Sequence, residues 1–149
     1  MIGRGASLVR TYQGDMRYER AELPLKLDGL AAARDFFSGC IAEGDPRRES
    51  LWVAHVDDHA RCLHLSCHEG GGTDATFPIG EIILDAAELG SAGIVLAHNH
   101  PSGDARPNCG DFSATRRLAT AAEAIDCTIV DHLVFGGSEC ASLRQLGYL

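Results

Sequence analysis

The chain has 149 residues, 45% of them hydrophobic, which is enough for one domain with its own core. Thirteen basic residues against twenty-one acidic ones leave a net charge of -8, which argues against a broad phosphate-binding face. No run approaches the ~18 apolar residues of a membrane span, and the first twenty residues lack the apolar stretch of a signal peptide, so a cytoplasmic protein with no membrane partner is expected.

Residues 1–24 are mixed polar with glycine and no sustained period, and they read as an N-terminal arm without firm order. The domain proper is expected over 25–149. "DGLAAARDFFSGCIAEG" is helical, with Leu30, Ala33, Phe37 and Cys40/Ile41 on one face, Asp28 as its N-cap and Gly44 as its stop. "ESLWVAHVDDHARCLHLSC" reads as two strands joined at "DDHA". Glycines 70–72 precede a short extended stretch, "DATFP". "GEIILDAAELG" is a second helix ending at Gly90, with Ile82/Ile83, Ala86 and Leu89 inward. "GIVLAH" is a continuous apolar strand, expected at the centre of a sheet. "DFSATRRLATAAEAI" is a third helix, with Phe112, Thr115, Leu118/Ala119, Ala122 and Ile125 inward, and "CTIVDHLVFGG" closes with one or two strands. One α/β domain of mixed order follows.

The chemistry concentrates in "IVLAHNHPSGDARPNCGD", residues 94–111. Side chains alternate along a strand, so His98 and His100 point to one side and Asn99 to the other. Two imidazoles ~7 Å apart along the backbone can converge on one ion. Pro101 ends the ladder and Ser102-Gly103 permits a sharp turn, after which Asp111 can return as a third ligand. Two His and one carboxylate suit Zn2+, with a fourth position left for water, and a hydrolase of this kind also needs a general base. Asp111 has two other readings: an acid at the positive end of a helix, or the N3 member of a capping box whose N-cap is Asn108.

"HNHPSGDARPNCGD" resembles the signature of JAB/MPN (JAMM) metalloprotease domains: His-x-His-Pro, six residues, Ser, two residues, Asp. The bacterial RadC-like subtype is the nearest in kind, through "AHNHPSGD" at 97–104, "TRRL" at 115–118 and "DH" at 131–132. The resemblance covers roughly residues 28–147. It implies a cytidine deaminase-like curved mixed sheet flanked by helices, and zinc held by His98, His100 and Asp111. It also implies a glutamate that activates a zinc-bound water for attack on an amide carbonyl. Glu49, just before "SLWVAHVD", stands where the family's glutamate lies; Glu81 is its competitor and Glu69 a more distant one. Where the family has an oxyanion-stabilising serine, this chain has Asn108, whose amide can also donate, with Ser102 as a helper.

Other residues compete for metal chemistry. Cys109 could close the site as a fourth ligand. Cys62, His64, Cys67 and His68 look like a second cluster, but strand alternation puts Cys62 and His64 on one face and Leu63, Leu65 and Cys67 on the other. His132 reads as structural or as a supporting partner, and Asp131 as an acceptor for a ligating histidine's other N–H. Three functions remain open: a zinc peptidase or isopeptidase acting on a peptide or protein; an interaction module without turnover; and a DNA-associated role suggested by the RadC-like label. The acidic balance weighs against the last, although Arg47, Arg48, Arg116 and Arg117 could form a local basic patch.

Overall fold

Long apolar runs with both faces covered become inner strands, and that rule places most of this chain. The computed structural model describes residues 25–70 and 77–149, together with two backbone strands before them. In chain order the elements are β1 (Ala6–Arg10), β2 (Met16–Arg20), α1 (Leu30–Ala42), β3 (Ser50–Val56), β4 (Cys62–Glu69), α2 (Ile79–Leu89), β5 (Gly93–Asn99), α3 (Cys109–Glu123), β6 (Thr128–Gly136) and β7 (Glu139–Ser142). The strands form one mixed sheet in the order β1-β2-β4-β3-β5-β6-β7, an α/β architecture. Among the described strands only β5 and β6 run parallel, and α3 supplies the crossover between them.

Every residue of β5 is buried, as a central strand requires. On one face Trp52, Ala54, Val95, Ala97 and Leu133 pack against Ala33, Phe37 and Cys40 of α1. On the other, Leu51, Val53, Ile94, Leu96 and Ile129 meet Ile82 and Ala86 of α2 and Ala114, Leu118 and Ala122 of α3. Each fully buried Leu, Ile or Phe contributes roughly 1.5–3 kcal/mol, so both layers hold the sheet firmly. α2 ends where expected, at Gly90, whose φ of 65° is the left-handed cap that glycine adopts without strain. No helix among the described residues is long and apolar enough to cross a membrane.

The structure departs from the sequence reading in four places. Strands β1 and β2 lie in the region read as an arm; they pair antiparallel, and β2 pairs β4 from Met16↔Cys67 to Tyr18↔Leu65. The rest of that arm, and most of "DATFP", fall outside the described residues. Asp28 does not cap α1: the cap position is Gly29, at φ 129°, and no side chain bonds there. In α2, Asp85 is buried and Leu89 is 38% exposed, so the apolar stripe is shorter than its spacing suggests. In β4, the pairing slips between His55↔His64 and Val56↔Cys62. That bulge leaves Leu63 unpaired and turns Cys62 to the α1 face beside Leu65 and Cys67, contrary to simple alternation.

Candidate metal centre

β5 carries His98 to its C-terminal end, on the face that α3 covers, with no exposed surface. The backbone stays in sheet geometry one residue further, since the His100 N–H donates to the Phe135 carbonyl at 2.7 Å. It then turns: Gly103, at φ 86°, donates its N–H to the His100 carbonyl at 3.0 Å. The turn brings the Asp104 carbonyl to His100 Nδ1, 2.7 Å away. The returning loop lies directly on β6 at Gly136, where a Cβ would stand 2.5 Å from the Ala105 nitrogen and 2.6 Å from the Asp104 carbonyl carbon.

α3 delivers the carboxylate through its own capping chemistry. Asn108 Oδ1 accepts from the Asp111 N–H at 2.9 Å, and Asp111 Oδ2 accepts from the Asn108 N–H at 2.8 Å, a complete capping box. The box fixes the Asp111 side chain, 2% exposed, against the histidines. Asp111 Oδ1 lies 3.1 Å from His98 Nε2, and Oδ2 lies 3.2 Å from His100 Nε2. The two Nε2 atoms are themselves 3.1 Å apart. Burial pushes the Asp111 carboxyl up, but with the imidazoles protonated His98, the Asn108 N–H and His100 outweigh it and hold the group below the usual carboxylate range. Tetrahedral ligands with bonds of ~2.0–2.1 Å stand ~3.3 Å from one another, so these donors are spaced as a zinc ion would need them.

Glu49 borders the same point. Its Oε1 is 3.8 Å from His98 Nε2, and it forms with His98 and His100 a set of ligand atoms mutually within 4.8 Å. Asn99 holds it there. The Ser50 N–H donates to Asn99 Oδ1 at 2.8 Å, while Asn99 Nδ2 donates to the Arg48 carbonyl at 2.8 Å, so one amide grips the backbone on both sides of Glu49.

Behind His98 stands a chain of short contacts. His98 Nδ1 is 2.7 Å from His132 Nε2, His132 Nδ1 is 2.6 Å from Thr115 Oγ1, and Thr115 Oγ1 is 2.7 Å from the Asp111 carbonyl. Burial holds His132 well below its ordinary pKa, and the adjacent His98 adds in the same direction.

Residues 29–148 match the profile of the RadC-like JAB domain. The chain belongs to that family. It is 38% identical over 122 residues to a UPF0758 protein of Acidithiobacillus ferrooxidans, covering 81% of this chain and 54% of the relative. A UPF0758 protein of Chloroflexus aggregans is 41% identical over 101 residues, 67% of this chain and 44% of the relative. One from Aliivibrio fischeri is 35% identical over 107 residues, 70% and 47% respectively. The chain spans about half the length of these relatives.

In this RadC-like JAB domain, His98, His100, Asp111 and Glu49 come together. The other candidates stand apart. Glu81 faces His68 at 3.7 Å, and Glu69 is exposed, 3.9 Å from Arg48. Ser102 is exposed in the turn, its Oγ accepting from the Asp104 N–H at 3.3 Å. Cys109 is an exposed free thiol at the first position of α3. Among the described residues, Cys62, His64, Cys67 and His68 form no second cluster of ligand atoms. Asp131 is not the acceptor for a ligating histidine. Its Oδ1 accepts from the His132 and Arg144 N–H groups and its Oδ2 from the Ser142 hydroxyl, which ties β6 to β7. His132 Nε2 stands in that place beside His98 Nδ1, and the Asp104 carbonyl stands in it beside His100 Nδ1. Asn99 went unrecognised as a positioning group because alternation points it away from the histidines; it reaches the backbone of the neighbouring strand instead.

Proposed function

We propose that this RadC-like JAB domain is a zinc-dependent hydrolase that cuts an amide bond in a peptide or isopeptide linkage. The observation that carries the reading is the convergence of two imidazole Nε2 atoms and the Asp111 carboxylate within 3.2 Å of one another, with each imidazole's Nδ1 engaged elsewhere. An acceptor carbonyl fixes the proton of His100 on Nδ1, which leaves the Nε2 lone pair directed at the cluster. Lone pairs and a carboxylate so close repel unless a cation sits among them, and two nitrogens with one oxygen donor suit zinc. When bound, zinc supplies a Lewis acid for the carbonyl and a water that is nucleophilic at neutral pH.

The chain's own residues do the rest. His98, His100 and Asp111 hold the ion, because Asp111 is buried and nearer to both imidazoles than Glu49 is to His98. Glu49, 22% exposed in its side chain, accepts the proton of the attacking water and passes it to the leaving nitrogen. Asn108 has its Oδ1 engaged in the cap, so its Nδ2 is the donor for the oxyanion. That engagement is also what favours a second reading, a zinc-holding interaction module without turnover. For a DNA-associated role, two of the four arginines that could form a basic patch already face acids: Arg47 is bonded to Asp45, and Arg48 stands 3.9 Å from Glu69.

The test is zinc content and cleavage of a peptide and isopeptide panel by the full chain, beside Glu49→Gln. The hydrolase reading expects about one zinc per chain in both proteins, and a loss of about 10²–10⁴-fold in turnover for Glu49→Gln. Zinc without turnover on any substrate would favour the module. A wild-type protein that takes up no zinc would overturn both.

A further inference from the structure

We infer that Thr115 and His132 are positioning residues that dictate which nitrogen of His98 carries the proton, and so aim its Nε2 lone pair into the cluster before any metal arrives. The direction of each bond in the chain behind His98 follows from what its atoms can do. A hydroxyl has one proton. The Asp111 carbonyl can only accept, so at 2.7 Å it takes the Thr115 proton. Thr115 Oγ1 then presents lone pairs to His132 Nδ1, 2.6 Å away, and that nitrogen must be the N–H donor. His132 has no exposed surface and its ring bonds no carboxylate, only the Thr115 hydroxyl and His98, so a second ring proton would be a buried charge without a bonded anion; with Nδ1 donating, its Nε2 accepts. His98 Nδ1, 2.7 Å from it, must therefore donate, and His98 Nε2 is left with its lone pair.

The chain has a second property: it closes on the residue that supplies the carboxylate. Thr115 is four residues after Asp111, one turn on along the same face of α3. On β6, the parallel register sets His132 opposite Leu96 and Val134 opposite His98, so His132 points to the same side as His98 from two positions back. Three hydrogen bonds thus join β5, β6 and α3, and they tie the protonation of one ligand to the backbone of another. His100 reaches the same tautomer by a different route, through the Asp104 carbonyl. It is an internal control, because nothing done to Thr115 touches that bond.

The consequence for zinc rests on the metal reading above, but the tautomer does not, and the experiment separates them. Ring-nitrogen correlation spectra of the full chain, stripped of metal and held well above the ordinary histidine pKa of about 6.5, report which nitrogen is protonated. His98 and His100 should both show Nδ1–H in the wild type and in Thr115→Ser. In Thr115→Val, which lacks the hydroxyl but keeps a similar shape, His98 should lose its single tautomer while His100 keeps it. His132→Phe should do the same from the other side, and it decides the matter if the valine variant fails to fold. Zinc affinity by chelator competition should fall about 10–100-fold in Thr115→Val and stay near wild type in Thr115→Ser. If a folded Thr115→Val or His132→Phe keeps His98 as Nδ1–H, the assignment is overturned and the contacts are merely packing. If the tautomer changes as expected but the wild type binds no zinc, the metal reading fails and the relay stands.

Discussion

Two buried histidines flank Leu51 on the same side of the sheet: His98 on β5 and His68 on β4, both in register with that leucine. Each lies within 4 Å of a glutamate, Glu49 for His98 and Glu81 for His68. In sequence only His98 lies in a His-x-His motif, while His68 belongs to a cluster that strand alternation splits. They differ in what their ring nitrogens meet. His68 Nε2 meets the Ser66 hydroxyl at 3.2 Å and its Nδ1 faces Glu81, so both ring nitrogens are turned to protein groups. His98 Nδ1 faces His132, and its Nε2 meets both a second imidazole nitrogen and a buried carboxylate. A histidine beside an acid is a pair; a metal centre needs acceptors aimed at one another, with every donor used elsewhere.

Removing a ligand should expose that difference most strongly. Asp111→Ala should abolish zinc retention through gel filtration, a larger loss than the 10–100-fold that removal of a supporting partner causes. His68→Ala should retain about one zinc per chain, although it costs stability by opening a buried space. Equal zinc loss in both would mean that the two histidines are not distinguished by what their ring nitrogens meet. The same contrast extends to the glutamates: Glu81→Gln should leave turnover within about a factor of two of wild type, against the 10²–10⁴-fold loss expected for Glu49→Gln.

How much of this could be read from the chain depends on whether the cause is local. That His98, His100 and Asp111 lie together was legible in part because strand alternation, a turn at Pro101–Gly103 and a helix start are short-range patterns; the family resemblance supplied the rest, Glu49 included. Asp111 also turned out to be both things the spacing allowed, a capping-box member and a neighbour of the histidines, since the box engages one face of its carboxylate and leaves the rest. The relay was only half legible. Thr115 could be placed inward by helical spacing, but its meeting with His132 depends on the β5–β6 register and on the irregularity between Ile94 and Val95. The true face of Cys62 was hidden for the same reason, by a bulge that no composition announces. Strands β1 and β2 carry no alternation strong enough to mark them; β1 pairs with β2, and β2 joins the sheet along β4.

A subtler way to sharpen the contrast leaves every ligand in place. Gly136→Ala puts a methyl group into backbone atoms at 2.5–2.6 Å, where nothing flexible can yield. The 104–105 segment must move off β6, and with it the carbonyl that holds His100 Nδ1. We expect a stability cost of about 1–3 kcal/mol from overpacking, read as a lower urea midpoint, and zinc binding about tenfold weaker. Zinc affinity that survives a measured loss of stability would show that His100 does not depend on the Asp104 carbonyl. A like substitution at Gly80 in α2, where a Cβ meets nothing within 4 Å, should leave zinc binding untouched.

The smallest expected change is at Asn108, and it tests whether one side chain can serve two ends. Serine is as good an N-cap as asparagine, since its hydroxyl can accept from the Asp111 N–H. Asn108→Ser should therefore preserve the box, the placement of Asp111 and the zinc. If the asparagine Nδ2 already donates to the oxyanion while Oδ1 caps the helix, the serine variant should turn over within roughly tenfold of wild type. A gain of about 10²–10³-fold would show instead that capping holds the amide away from the oxyanion, because that is the size of one recovered donor. Asn108→Ala separates the two contributions: losing the cap costs about 1 kcal/mol of stability in any case. Its turnover falls as well only if the amide was donating.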